Sequence, residues 1–366
     1  MSGRSILTVL LLLLLLGLAA VGSASAADPP QQGGDDAACL ACHDDPSIAY
    51  EFPGGEAWSL YVDPGAYQAS SHGQEGLACT SCHPDTDGYP HPPVQAGNAR
   101  YFQLEKYKTC QSCHPEVYAA ELDSVHAREI AAGNWNAAIC TDCHDPHDNQ
   151  PDRPRTQIPV TCSICHSDIY NEYLDSVHGH ALVDERNVDV PTCIDCHGVH
   201  NQEDPRTTAF RLNSPKLCAS CHANETMMSA YGISTNVFNT YVADFHGTTV
   251  TLFERQSPDI PSNKPVCYDC HSVHNMKRPE DPTSQIYADN LLQTCQKCHP
   301  DATGDFPASW LSHYQPDIQK YPLVYFVDLF YKILIPAVIG FMAIYVVLEA
   351  VSRLVRRPGR KEGGEA

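Results

Sequence analysis

Cys193-Ile-Asp-Cys196-His197-Gly-Val-His200 decides how the rest of the chain is read. Two cysteines stand three apart, a histidine follows the second at once, and another histidine stands three further on. On a helical turn, residues three apart project to the same side, so both thiols share one edge and the imidazole stands beside them. The pattern recurs outward in both directions. C-x-x-C-H is spelled by Cys39-Cys42-His43, Cys79-Cys82-His83, Cys110-Cys113-His114, Cys140-Cys143-His144 and Cys162-Cys165-His166. It is spelled again by Cys193-Cys196-His197, Cys218-Cys221-His222, Cys267-Cys270-His271 and Cys295-Cys298-His299. All 18 cysteines fall in these nine motifs, so no thiol is left over for a structural bridge.

Paired cysteines also build zinc sites and, in exported chains, disulfides. Neither use requires a histidine after every second cysteine. With 19 His in 366 residues, nine occurrences in nine are not a matter of composition. C-x-x-C-H is the attachment signature of c-type haem: two thiols meet the porphyrin's vinyl groups and the next imidazole reaches the iron. The motifs predict nine covalent c-type haems, with His43, His83, His114, His144, His166, His197, His222, His271 and His299 as proximal ligands.

Ten histidines remain, and haem iron in electron carriers commonly takes His or Met as its second axial ligand. Only five Met are present, with Met1 at the extreme N terminus and Met342 in an apolar run, so bis-histidine ligation is expected. The spare histidines are periodic. Tyr118-Ala-Ala-Glu-Leu-Asp-Ser-Val-His126 matches Tyr170-Asn-Glu-Tyr-Leu-Asp-Ser-Val-His178, with looser copies at Tyr67–His72 and Tyr241–His246. A C-x-x-C-H follows each, then another spare histidine (His91, His147, His200 or His274), then a second C-x-x-C-H. The chain thus parses as four two-haem repeats starting near 67, 118, 170 and 238, behind one leading motif at Cys39. Trp310-Leu-Ser-His313 resembles the opening of a fifth. The expected distal ligands are His72, His91, His126, His147, His178, His200, His246, His274 and His313. His180 is surplus, because His178 aligns with His126. Which spare histidine faces which iron is not readable from spacing.

The ends are apolar. Ile6–Gly22 behind Arg4, closed by Ser23-Ala-Ser-Ala26, reads as a signal peptide over 1–26. Tyr331–Val351 is long enough for one bilayer crossing. Tyr321, Tyr325, Phe326 and Phe330 precede it like an interfacial belt, and Arg353, Arg356, Arg357, Arg360 and Lys361 follow. Residues 321–366 therefore read as a membrane anchor with a basic cytoplasmic tail, leaving 27–320 outside the cytoplasm as the haem domain. No His lies in the span, so it cannot hold a bis-histidine haem itself. Between the ends the chain is polar and Pro-rich, too poor in aliphatics for an ordinary core. The expected fold is mostly α and irregular loops: an elongated domain packed on its haems, plus one C-terminal transmembrane helix. Glu116–Ala132 and Ser167–Val183 read as helices, and Ser229–Thr240 as an exposed excursion or docking loop. With 44 Asp+Glu against 23 Lys+Arg, nucleic acid is excluded as a partner.

With nine C-x-x-C-H motifs and S-V-H and C-H-x-x-H elements, residues 39–313 resemble the multihaem cytochromes c, closest to the bis-histidine group of cytochrome c3-like and octahaem proteins. The resemblance implies haems that pass electrons along a chain. The quinol-oxidising tetrahaem family carries its anchor at the N terminus, whereas here it is C-terminal. Pentahaem nitrite reductases commonly have C-x-x-C-K, whereas all nine motifs here end in His. The expected role is electron transfer between an integral membrane quinol-reactive subunit and a soluble or outer-surface redox partner, by a carrier rather than an enzyme. The alternative is a reductase or oxidase of a small nitrogen or sulfur oxyanion with one open haem. It needs a spare histidine that does not ligate, and cations such as Lys264, Lys277 and Arg278 drawing the anion in.

Overall fold

A computed structural model describes residues 36–355 apart from 87–88, 310–312, 314–315 and 320. The expected signal peptide, Trp310 and the basic tail from Arg356 lie outside the described residues. The chain divides into two compact units, the first ending at Pro205 and the second beginning at Arg206.

The first unit opens with helix Asp36–His43 and a small antiparallel hairpin, Ala49–Glu51 with Ala57–Ser59, in which Tyr50 faces Trp58. Phe52, Ala96 and Ala99 are buried against this hairpin beside Tyr50, Trp58, Val94 and Phe102. A second cluster joins Leu104, Tyr107 and Ile139, flanked by Tyr118, Ile130 and Cys140. In the second unit, Leu212, Val250 and Val266 make the corresponding cluster with Phe253 and Tyr268. Each cluster has three buried members, far fewer than a side-chain core of this length needs. The rest is short helices joined by irregular loops, as expected.

The two long helices read from sequence are each two. Pro115–Leu122 is followed by Val125–Ala131, and Ser167–Leu174 by Val177–Val183. The break is local chemistry. Ser124 and Ser176 leave the helical region, and their hydroxyls accept from the amides of Ala127 and Gly179. A serine there satisfies an orphan amide at a helix start better than it serves a helix interior. The Asp-Ser-Val-His stretch therefore opens the second helix instead of ending the first. The Ser229–Thr240 stretch is a 3-10 turn at Ser229–Tyr231 leading into helix Val237–Ala243.

Pro322–Val355 is a single helix of 34 residues with a mean hydropathy of 2.3 over its most apolar window, none of it buried. At 1.5 Å per residue it is roughly 50 Å long, more than the hydrocarbon core of a bilayer requires. Its charges sit towards the ends in i,i+4 pairs, Asp328 with Lys332 at 2.7 Å and Glu349 with Arg353. It is long and apolar enough to cross a membrane.

Candidate functional site

Histidines distant in sequence meet in pairs with a gap between the rings. Ring centres are 6.1 Å apart for His43 and His91, 6.2 Å for His72 and His114, and 6.2 Å for His83 and His147. They are 6.3 Å apart for His126 and His166, and 6.1 Å for His144 and His200. In the second unit, His246 and His299 are separated by 6.3 Å and His271 and His313 by 6.1 Å. Stacking in van der Waals contact would bring such rings closer. An iron–nitrogen bond of about 2 Å, with each ring centre roughly 1.1 Å behind its nitrogen, puts two imidazoles on one iron about 6.2 Å apart. All seven separations lie within a tenth of an ångström of that value, and each pair joins one motif histidine to one spare histidine. The donor set therefore fits a six-coordinate haem iron.

The partners follow a rule that spacing alone did not show. The opening histidine of a repeat reaches the second motif of the same repeat: His72 to His114, His126 to His166, His246 to His299. The histidine behind a first motif reaches back to the preceding repeat: His147 to His83 and His200 to His144. His91 does the same for the leading motif at His43, and His313 for His271. In the first unit these reaches interlock successive repeats. His178 and His197 lie in the first unit, His222 and His274 in the second. His180 stands apart on the surface, its Nε2 3.5 Å from Asp184 and its Nδ1 3.5 Å from Glu185.

Local structure aims these rings. His72, His126, His178 and His246 each occupy the second position of a helix capped by Ser70, Ser124, Ser176 or Asp244. Second ring nitrogens are held as well: His43 Nδ1 lies 2.8 Å from the Leu60 carbonyl, and His72 Nδ1 3.2 Å from that of Pro146. The carboxylate of Asp244 stands 3.4 Å from His246 Nδ1. Such partners fix ring orientation and tautomer. Burial pushes His83, His126, His147, His200, His222 and His313 below the ordinary histidine range, and His271 down to about 4. Each shift favours the neutral imidazole, the form that binds a metal.

Two supports were not visible in the motifs. The first is an arginine clamp on three of them. Arg100, Arg155 and Arg211 pair with the aspartate inside C-x-D-C, namely Asp142 at 2.9 Å, Asp195 at 2.7 Å and Asp269 at 2.7 Å. Each guanidinium also donates to the carbonyl three residues before the motif, of Ala137, Val190 or Lys264. Each aspartate in turn accepts from the amide just before the first cysteine, of Ile139, Thr192 or Val266. At Cys79, where Ser81 replaces that aspartate, Asp36 accepts from the Cys79 amide at 2.9 Å instead. The second support is a tyrosine latch. Tyr67, Tyr173 and Tyr241 donate to the carbonyls of Leu77, Pro191 and Pro265, each two residues before a first motif.

Two of the three cations considered for an anion site are engaged elsewhere. Lys264 lies over the Phe253 ring at 5.3 Å, and Lys277 donates to Thr283 at 2.8 Å. A cavity lined by Thr240, Tyr241, Asp244, Pro265, Cys267 and Cys270 lies between His271 and His313, at the point where a haem on that motif would sit.

A family model described as cytochrome c3 matches residues 71–167. Another, for outer membrane cytochrome MtrC/MtrF-like domains II/IV, matches residues 185–320. The chain is similar to the multiheme cytochrome MtrA of Shewanella baltica, 24% identical over 248 residues, or 66% of this chain and 58% of that one. It is 31% identical over 172 residues to the cytochrome c-type protein NrfB of Escherichia coli O6:H1, covering 45% of this chain and 65% of the relative. It is 29% identical over 139 residues to the cytochrome c-type protein NapC of Haemophilus influenzae, covering 33% of this chain and 68% of the relative. The chain thus spans less than two thirds of the length of the first two. No solved structure matches it.

Proposed function

We propose that this chain, which belongs to the multihaem cytochromes c, passes electrons along nine haems between a quinol-reactive subunit in the membrane and acceptors outside the cytoplasm. Covalent c-type haems and electron transport are common to the family; the count, the ligands, the partners and the location are the reading argued here. The observation that carries it is the set of seven imidazole pairs at iron-spanning separation.

When bound, each haem supplies a one-electron iron couple. The residues of this chain hold it. The 18 motif cysteines fix the porphyrin edges. His43, His83, His114, His144, His166, His197, His222, His271 and His299 take one face. His72, His91, His126, His147, His178, His200, His246, His274 and His313 take the other. Two imidazoles for each iron would leave no open position for a substrate, which favours transfer over transformation.

The attachment points also favour a path in chain order within each unit. The Cys39 thiol contacts that of Cys79, Cys110 contacts Cys140, and Cys162 contacts Cys193. Cys82 lies within electrostatic reach of Cys110 and Cys113, and Cys143 within reach of Cys162 and Cys165. In the second unit Cys218 contacts Cys267, and Cys270 faces Cys295 and Cys298. Each motif is thus beside the next.

Pro322–Val355 is assigned as a single pass through the cytoplasmic membrane. It begins nine residues after His313, so at most about 30 Å of extended chain separates the two. The haem at Cys267 and Cys270, which His313 would ligate, is therefore the natural junction with the membrane partner. The net charge of −21 suits a basic redox partner.

Mass spectrometry of the purified chain should find nine thioether-linked haems, and electron paramagnetic resonance only low-spin iron. A high-spin ferric signal perturbed by nitrite or hydroxylamine would move the reading to an oxyanion reductase. Purification in mild detergent should bring down an integral membrane subunit that reacts with quinol.

A further inference from the structure

The repeats agree at two positions beside the opening histidine, and one repeat departs at both. Five residues before that histidine stand Tyr67, Tyr173 and Tyr241, whose hydroxyls latch the carbonyl before the next motif. Just after it stand Gly73, Gly179 and Gly247. A Cβ on any of these would meet the carbonyl oxygen of that tyrosine at 1.9, 2.0 or 2.2 Å, so the turn closes tightly over it. In the repeat of His126 the same positions hold Glu121 and Ala127. The latch is gone, and the turn has room for a side chain.

Glu121 is not a surface carboxylate. It is 9% exposed, and its buried Oε2 meets no hydrogen-bond partner among the described residues. The groups around it do not supply a counter-charge. Tyr118 on its own helix stacks on Tyr107 at 6.0 Å. Cys110 and Cys140 face each other beside them. On helix Ala99–Lys106, Arg100 is paired with Asp142 and Lys106 with Asp85. On helix Val125–Ala131, Arg128 donates to the Asp123 carbonyl and Glu129 accepts from Asn134. Lys108 is exposed. Burial raises the Glu121 pKa above the ordinary carboxylate range. A lone buried carboxyl with no cation is cheapest when neutral.

We propose that Glu121 is a proton-binding site coupled to reduction of the haem attached at Cys140 and Cys143. This rests on a haem occupying that motif, as argued above. Glu121 shares helix Pro115–Leu122 with Tyr118, which packs against the cluster that Cys140 flanks, and it lies within electrostatic reach of the Cys140 thiol. An electron arriving on that iron adds one negative charge beside a poorly solvated carboxylate, and Glu121 takes up one proton from water to offset it. Oxidation by the next carrier returns the proton. The latched repeats have a phenol at this place, which stays protonated in both redox states. One haem of the chain therefore exchanges a proton with its electron where its repeat-mates exchange an electron alone.

Full-length protein in detergent is titrated spectroelectrochemically from pH 5 to 9, with proton uptake on full reduction followed by an indicator dye. In wild type, one component of the potential distribution falls as pH rises. Its reduction equilibrium changes up to tenfold per pH unit, or about 59 mV for one electron. The fall is confined to the window between the pKa values of Glu121 in the oxidised and reduced states. Glu121→Gln abolishes that component's slope and lowers proton uptake by one per chain. Glu121→Tyr does the same, and carries the test should the glutamine variant fail to mature. Unchanged slope and uptake in both variants would overturn the proposal, leaving haem propionates as the source. A wild-type protein with no haem on Cys140 and Cys143 by mass spectrometry would instead overturn the underlying reading.

Discussion

Residues 36–309 and the helix Pro322–Val355 solve opposite problems with the same shortage of partners. In the first stretch, helices are short and the buried clusters hold three members each. In the second, 34 residues form one helix that buries nothing against the rest of the chain. Neither is stable in water on its own side chains. The first is polar and carries its apolar surface as covalent cofactor; the second is apolar over most of its length and long enough to place that surface in a bilayer. Loss of the partner should therefore be fatal to one region and irrelevant to the other.

The largest expected effect breaks the comparison at the cofactor. Expression without haem attachment should leave residues 36–309 without cooperative structure, because three-member clusters cannot offset the entropy of ordering the chain. Far-UV circular dichroism should then show helix only in proportion to the C-terminal segment. Retention of a cooperative thermal transition without haem would show that the side chains suffice. Ending the chain before Pro322 tests the other arm. The truncated protein should leave the membrane fraction, while its haem count and visible spectrum stay those of the full chain. A loss of haem on truncation would mean that the two regions are not separable.

Single ligands come next. His83→Ala should turn one iron high-spin in paramagnetic resonance, and His147→Ala should give the same signal, since the two rings share one gap. His180→Ala should change nothing, because its imidazole is engaged with Asp184 and Glu185 at the surface. A high-spin signal from the last variant would reassign the ligands of its repeat.

How much of this was legible before the structure follows from how far apart the partners are. The cysteine motifs are local, and a thioether site needs only five residues. The repeat was legible because Leu-Asp-Ser-Val-His recurs intact. The pairing was not. His91, which departs from the +3 position, still serves the preceding motif as the +3 histidines do, and His313, which reads like the opening of a repeat, serves His271. The helix break at Ser124 and Ser176 was available as a capping signal but was masked by the good helix formers around it. The arginine clamps were invisible, since their partners lie 42, 40 and 58 residues apart and share no motif on the arginine side.

Those clamps give the smallest effects, and they separate architecture from decoration within the first region. Arg211 and Asp269 are both about three quarters covered, with two charged hydrogen bonds between them and a third to the Lys264 carbonyl. Arg211→Gln should cost roughly 1–2 kcal/mol. Breaking the more exposed Lys216–Glu254 pair should cost less than about 0.5 kcal/mol. Acid should tell the same story at Asp195. Burial acts to raise its pKa, but the Thr192 amide and hydroxyl and the Arg155 guanidinium outweigh it and hold the carboxyl below its ordinary value. The folded state therefore binds that proton less readily than the unfolded chain. The clamp stabilises fully above the unfolded value and is lost as pH falls through the depressed one, below about pH 4. Arg155→Gln should move the acid-unfolding midpoint of the haem-loaded protein upward, and an unmoved midpoint would mean that the thioether bonds alone hold the motif in place.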